Sequence, residues 1–326
     1  MKFKETADTF SDDATKCAPF PKRLLNAHVN WADFDTKELK YVPCNICGSF
    51  DFSILASIVI NSIEFFLVEC RECNLIWRNP LPGNKFLYSL YTEQYFDTSE
   101  MSSLLKEQVG IADTTTTDRI FRDDISAKVV QSWVDLGISP QDPNGQLRKL
   151  LEIGGGRGYL QKAAKEKGWI TIGMEISPHG IAEAKKNGIS LLPYTLYESR
   201  MKHGLYEKQF DLVVFYDFLE HVDDPAQYLR VINHMLADDG IIIFRVPHTA
   251  GCPRLHLIDH VWHFSTKSLR YLLEKENLVV WHAHYSGRFF GQHGNYIDNI
   301  TIFARKVSSN DQIFPEINLQ PNPLGL

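Results

Sequence analysis

The stretch Leu150–Gly158 constrains the fold of this chain more than any other. An apolar run, Leu147–Ile153, is followed at once by Gly154, Gly155, Gly156 and Gly158. Glycine tolerates backbone conformations closed to other residues, so a chain can turn sharply there and approach a ligand closely. Beyond the turn, helices and strands alternate. Tyr159–Lys167 reads as a helix and Ile170–Glu175 as a strand. Pro178–Asn187 reads as a helix, with Ser177 as its cap and proline in its first position. Short strands are expected at Ile189–Leu192, Phe210–Tyr216 and Ile241–Val246, and a further helix at Pro225–Leu236. This rhythm predicts a doubly wound, Rossmann-like α/β sheet with helices on both faces. Ligands of such sheets bind beyond the carboxyl ends of the strands.

The glycine-rich turn alone fits a dinucleotide as well as any other nucleotide-like ligand. Its spacing, however, departs from G-x-G-x-x-G and follows E-x-G-x-G-x-G, from Glu152 through Gly154, Gly156 and Gly158. Glu175 ends the second strand, where a carboxylate can accept hydrogen bonds from ribose hydroxyls.

A second feature lies ahead of this fold. Cys44-Asn-Ile-Cys47 is followed after 22 residues by Cys70-Arg-Glu-Cys73. Two such pairs suit a tetrahedral zinc ion held by four thiolates. Ile54–Ile60 and Ile63–Val68 read as strands around Asn61-Ser62, which outlines a small zinc ribbon. With no open coordination position, the zinc is expected to be structural. The alternative is four buried or free thiols. Cys17 and Cys252 stand apart and read as plain thiols.

Composition bounds the partners. A formal net charge of -6 gives no global attraction to nucleic acid or to an anionic membrane. Met1–Lys16 lacks the basic start and apolar middle of a secretory signal, and no apolar stretch is long enough to span a bilayer. The expected location is the cytoplasm, with no nucleic-acid or membrane partner. The expected organisation is an arm over 1–40, the ribbon over 41–80, a helical linker or cover over 81–145, the main domain over 146–307 and a tail over 308–326. In the linker, Asn79-Pro-Leu-Pro-Gly83 is a strong breaker, and Phe86–Phe96 is rich in tyrosine, including Tyr88, Tyr91 and Tyr95. That segment either covers a bound ligand or simply packs as a helix between domains.

These motifs resemble those of the class I S-adenosylmethionine-dependent methyltransferases. Gly173-Met-Glu-Ile-Ser-Pro178, Phe210-Asp-Leu-Val-Val214, Leu219-Glu-His-Val-Asp-Asp-Pro225 and His260-Val-Trp-His-Phe-Ser265 carry the likeness along with the glycine turn. The cysteine module in front is similar to that of bacterial sugar C-methyltransferases and related enzymes of polysaccharide and natural-product pathways. The resemblance implies seven strands whose last two form an antiparallel hairpin, with Val279–His284 and Asn299–Lys306 as candidates. It implies a cofactor-binding set of Glu152, Gly154, Gly156 and Gly158 at the methionine end. Glu175 would hold the ribose and Ile176 would pack on adenine. Tyr216 and Asp217 would border the methyl group, and Tyr194–Tyr197 would lie near the adenine.

Methyl transfer needs a positioned acceptor and a group that removes its proton. His221 is the candidate base, since imidazole accepts a proton near neutral pH. Glu220 can orient it or act itself; alternatively, both residues cap the following loop. If this segment were a helix, His256, His260 and His263 would share one face. They read as metal ligands, as part of a substrate pocket or as a capped loop, with His260 and His263 as secondary catalytic candidates. His282 and His284 alternate on a strand and read as structural. The Gly-rich loop Tyr285–Asn295 is a candidate cover for the acceptor. The expected function is methyl transfer to a small hydroxylated or carbonyl-bearing acceptor, such as a nucleotide-linked sugar. Cyclisation or another alkyl transfer by the same cofactor is one alternative. A catalytically inactive, zinc-containing binding protein is another. The sequence leaves the oligomeric state open.

Overall fold

The computed structural model describes residues 4–5, 35–60, 63–94, 116–204, 208–249, 260–289, 295–307 and 320–321. His256, Tyr95, Cys17, Cys252 and the centre of the Tyr285–Asn295 loop lie outside these residues.

The main sheet has seven strands, and its parallel part follows the predicted rhythm. β5 (Lys149–Ile153), β6 (Ile170–Met174), β7 (Phe210–Tyr216) and β8 (Leu236–Pro247) pair in parallel, with β6 outermost. β10 (Leu278–Phe289) and β11 (Asn295–Lys306) form the antiparallel hairpin, and β11 pairs antiparallel with β8. With β12 (Gln320–Pro321) at the far edge, the order is β12-β10-β11-β8-β7-β5-β6. Successive side chains on a strand point to opposite faces, and here both faces are buried. Leu151, Ile153, Val213, Phe215, Ile242 and Phe244 enter one core. Leu150, Leu212, Val214 and Ile243 enter the other, against Val130 and Trp133 of α2 (Thr116–Asp135) and Ala163 and Ala164 of α3 (Tyr159–Glu166). Two-sided burial is why these strands read as continuous apolar runs rather than alternations.

One strand expectation fails. Ile189–Leu192 is not a strand; only Leu192 bridges, to Met174. Pro193 has no N–H to extend the ladder. Ile189 and Leu191 instead bury against Ala184 of α4 (Pro178–Lys186). The seventh strand comes from the tail, where β12 lies parallel to β10 at His284–Tyr285.

The cysteine-bearing module is a second sheet. β2 (Phe52–Ile60), β3 (Ile63–Cys70) and β4 (Ile76–Asn79) run antiparallel, and β1 (Lys4–Glu5) edges β2. Its far edge is supplied by β9 (Trp262–His263), which pairs antiparallel with Ile76–Trp77 of β4. The helical condition for a shared histidine face is therefore not met at His260 and His263. The ladder with β4 claims that backbone, so the histidines stand on an extended segment. The module's Cys44, Cys70, Cys73, Leu75 and Trp77 belong to the same core as Val213 and Phe215, so the small sheet packs on one face of the large one. α1 (Asn84–Ser89) and the turn Leu90–Gln94 run on from the module. No helix among the described residues is long and apolar enough to cross a membrane.

Candidate functional site

The glycine turn leaves β5 and is tied to the end of β6. Gly154 N and Gly155 N donate to Met174 O at 3.0 and 2.9 Å. Gly156 has φ +51°, a left-handed conformation costly for other residues, and a Cβ built on it meets nothing within 4 Å. Gly158 differs: its φ is +77°, and a Cβ there would press on Ala184 and Ile189 at 3.0 and 3.1 Å. Gly156 thus faces open space, while Gly158 lets α3 close onto its neighbours. Phe218, just past β7, stands 3.7 Å from the Cβ position of Gly154 and walls the turn on one side.

Glu175 locks this loop. Its Oε2 accepts from Gly156 N at 2.8 Å, and its Oε1 accepts from Ile176 N and Ser177 N at 2.8 Å each. Glu152, at the end of β5, is buried, and its Oε2 has no hydrogen-bond partner among the described residues. Burial pushes its carboxyl up to about 8; a Gln161 hydrogen bond opposes this and the nearby Glu175 adds to it. A buried carboxyl beside an open turn would pair with a cation that enters there by giving up its proton. The turn's open face, the unsatisfied Glu152 oxygen and the Glu175 brace together fit the methionine and ribose ends of S-adenosylmethionine.

The rest of the predicted cofactor set is distributed around this turn. Ile176 is half-buried beside Glu175. The Tyr216 hydroxyl sits against Trp133 on the face shared with Leu150 and Val214, and burial holds its pKa well above the usual phenol range. Asp217 is paired with Arg245 of β8, whose Nε donates at 3.0 Å to one carboxylate oxygen and whose terminal nitrogen meets the other. Tyr194 lies under the Lys202 ammonium. Tyr197, in the first turn of α5 (Leu196–His203) behind a Thr195–Glu198 capping box, packs on Tyr228, with ring centroids 4.8 Å apart.

Beyond Phe218 the chain forms the tight loop Leu219–Asp224, which carries Glu220 and His221. Glu220 is fully buried. Its Oε1 lies 3.7 Å from His221 Nε2. Tyr91, from the turn after α1, hydrogen-bonds through its hydroxyl to His221 Nδ1. The His260 ring meets the His221 ring edge-on at 4.5 Å. Ligand atoms of Glu220, His221 and His260 lie within 4.8 Å of one another. His263 is buried with its ring 6.4 Å from that of His260, so it stands one step further out. The loop backbone is held by Val261 and the first residue of β9. Val261 N and Trp262 N donate to Glu220 O at 2.9 and 3.3 Å, and Trp262 Nε1 donates to Val222 O at 2.7 Å.

Several residues of this region carry no sequence signal of their own. Tyr91 reads only as one aromatic among several. Phe218 and Arg245 are ordinary in composition and matter only through what the fold sets beside them. His248, past the end of β8, bonds Thr266 Oγ1 at 3.0 Å, and Thr266 in turn meets the Tyr285 hydroxyl at 3.3 Å. Burial pulls His248 down to about 4, so it is neutral at ordinary pH.

The four cysteines converge. Cys44 and Cys73 Sγ are 3.4 Å apart, as are those of Cys47 and Cys70, and all four lie within 4.8 Å of one another. These separations are far too long for disulfides, whose S–S length is about 2.05 Å. They bracket the ~3.8 Å edge of a tetrahedron built from Zn–S bonds of about 2.3 Å. Each pair sits on a tight knuckle: Gly48 N donates to Cys44 O and Asn74 N to Cys70 O, at 2.8 and 2.9 Å. The Cys73 hydrogen bond pulls Cys44 down to about 5, the reciprocal bond pushes Cys73 up, and burial lifts Cys47 to about 11. Metal binding by cysteine requires the thiolate, so a cation at this cluster would draw the thiols into their ionised form. The donor set therefore fits zinc.

Residues 126–283 match the family described as a methyltransferase domain. Two similar curated relatives are the ubiquinone biosynthesis O-methyltransferases of Histophilus somni (strain 2336) and Haemophilus ducreyi (strain 35000HP / ATCC 700724). The first is 32% identical over 112 residues, covering 32% of this chain and 47% of the relative. The second is 28% identical over 102 residues, covering 29% and 43%. This chain thus spans about half the length of the curated relatives it matches. Among solved structures, a SAM-dependent methyltransferase from Archaeoglobus fulgidus aligns with TM-score 0.47 and 16% identity, over 64% of this chain and 100% of that one. Magnesium protoporphyrin IX methyltransferase from Synechocystis PCC 6803 with bound SAH aligns with TM-score 0.47 and 17% identity, over 68% and 100%.

Proposed function

We propose that this chain, with a methyltransferase domain over residues 126–283, transfers a methyl group from S-adenosylmethionine to a small hydroxylated or carbonyl-bearing molecule. The observation that carries this reading is Phe218. Its ring walls the glycine turn, and its carbonyl accepts from His221 N at 3.1 Å. A single loop thus joins the donor side to the Glu220–His221 pair.

Bound S-adenosylmethionine supplies a methyl group already activated by its sulfonium. The chain then has to orient the acceptor and take its proton. When His221 Nδ1 keeps its hydrogen and donates to Tyr91, Nε2 carries the lone pair that accepts that proton. The Glu220 carboxyl, 3.7 Å from Nε2, stabilises the imidazolium that forms. Abstraction from a hydroxyl leads to methylation at oxygen, and abstraction beside a carbonyl leads to methylation at carbon. The names of the curated relatives support oxygen; the ribbon's similarity to sugar C-methyltransferases supports a nucleotide-linked sugar. Cys44, Cys47, Cys70 and Cys73 would hold a structural zinc.

The test combines calorimetry with S-adenosylhomocysteine and mass spectrometry of products from a panel of hydroxylated and carbonyl-bearing acceptors. Binding plus a product heavier by one methyl group supports the reading. Absence of cofactor binding overturns it. A product without the added methyl favours cyclisation or another alkyl transfer. Binding without turnover on any acceptor, together with a stably captured partner, favours a binding protein.

A further inference from the structure

The Cys44–Cys47 turn does more than fold the small sheet. Asn45 lies between the two cysteines, and its side chain leaves the module. Its Nδ2 donates to Asp224 Oδ1 at 2.9 Å, and its Oδ1 accepts from Ala226 N at 3.0 Å. Asp224 is the N-cap of α6 (Pro225–Met235), and the same Oδ1 accepts from Gln227 N at 2.8 Å. The first helical N–H groups have no partner within a helix. Here Pro225 has none to offer, Asp224 serves Gln227, and Asn45 serves Ala226 from 181 residues away. The start of α6 is satisfied only when the cysteine turn is in place.

Only Val222 and Asp223 separate His221 from that cap. Asp223 is held from the same side, since Asn84 Nδ2 donates to its Oδ2 at 2.6 Å. The turn itself is pinned by Lys275 Nζ of α7 (Thr266–Lys275), which donates to Ile46 O at 2.9 Å. We infer that Asn45 is a positioning residue, through which the four-cysteine knuckle sets the place of the Glu220–His221 loop. This rests on the reading of His221 as the base. The cysteine site is then a part of the catalytic geometry and not a remote clasp.

The test uses the full chain with its zinc content measured. Asn45→Ala should leave zinc content and S-adenosylhomocysteine affinity unchanged and lower kcat by between about tenfold and a hundredfold. It should also speed amide hydrogen exchange over 219–227 while exchange at 154–158 stays as it was. Asn45→Asp should be worse than Asn45→Ala, because two carboxylates would meet. Unchanged exchange at 219–227 in Asn45→Ala overturns the inference, and so does an Asn45→Asp variant that turns over as fast as the unsubstituted chain. Full turnover in His221→Ala instead overturns the assignment of the base, and the exchange measurement then still decides whether the coupling exists.

Discussion

The two halves of the site are built by opposite strategies. The donor half is local. Glu152, the glycine turn and Glu175 occupy one strand–helix–strand unit, and its key bond, Gly156 to Glu175, joins residues 19 apart. The acceptor half is assembled across the chain. Tyr91 reaches His221 over 130 residues, Asn84 reaches Asp223 over 139 and Asn45 reaches Asp224 over 179. A half held by its own neighbours tolerates trouble elsewhere; a half held by distant partners inherits it. The two halves should therefore fail independently.

Four experiments can break or sharpen that separation. His221→Ala should lower turnover by about 10²–10⁴ while leaving S-adenosylhomocysteine affinity, measured by calorimetry, as it was. A parallel loss of affinity would mean that the halves are not separate. Gly156→Val carries the converse prediction. A branched side chain at φ +51° should raise the Kd for S-adenosylhomocysteine about tenfold or more. Amide exchange over the Glu220–His221 loop should not move; faster exchange there would sink the local picture of the donor half. Removal of zinc by a chelator should come next. We expect turnover to fall severalfold or more before cofactor affinity changes, with loosening at 219–227 and none at the glycine turn. Loss of affinity first would reverse the comparison.

The smallest effect concerns pH and Glu152. Its carboxyl is raised to about 8 in the free protein, so it is largely protonated at neutral pH. The cofactor's ammonium favours the ionised form, so binding should release a proton and tighten as pH rises. The gain should be about fivefold between pH 7 and pH 8 if the bound carboxyl is fully ionised. Calorimetry in buffers of different ionisation enthalpy would read the proton, and Glu152→Gln should abolish it. The sign for stability is opposite. A raised carboxyl stabilises the free fold at low pH, and that contribution is lost as pH climbs toward about 8. Cofactor should therefore protect the fold more at pH 8 than at pH 6.

The same contrast explains what the sequence made legible. β5, β6 and β7 with their helices were readable because buried strands and capped helices carry periodicity and cap residues in neighbouring positions. The cysteine pairs were readable because thiols at ligand spacing are rare by chance. Glu220 and His221 stood out as residue types, but their setting did not. Nothing adjacent to Tyr91 or Asn45 says that 130 or 179 residues later a partner awaits. The setting of His260 and His263 is not legible, because spacing alone carries no information about a strand borrowed by another sheet. Ile189–Leu192 failed for a related reason: its apolar residues serve packing under the glycine turn, not pairing.

The pairing of β4 with β9 also sets a timetable. A ribosome releases Ile76 and Trp77 long before their partners His263 and Trp262 exist. At roughly 5–20 residues per second, the small sheet waits on the order of 10–40 s with that edge bare. The nascent chain must shield an apolar flank, Trp77 included, until Trp262 and His263 are made. Cells that make this protein at high level should therefore lean on holding chaperones during that interval, and slow codons between these two points should lengthen it.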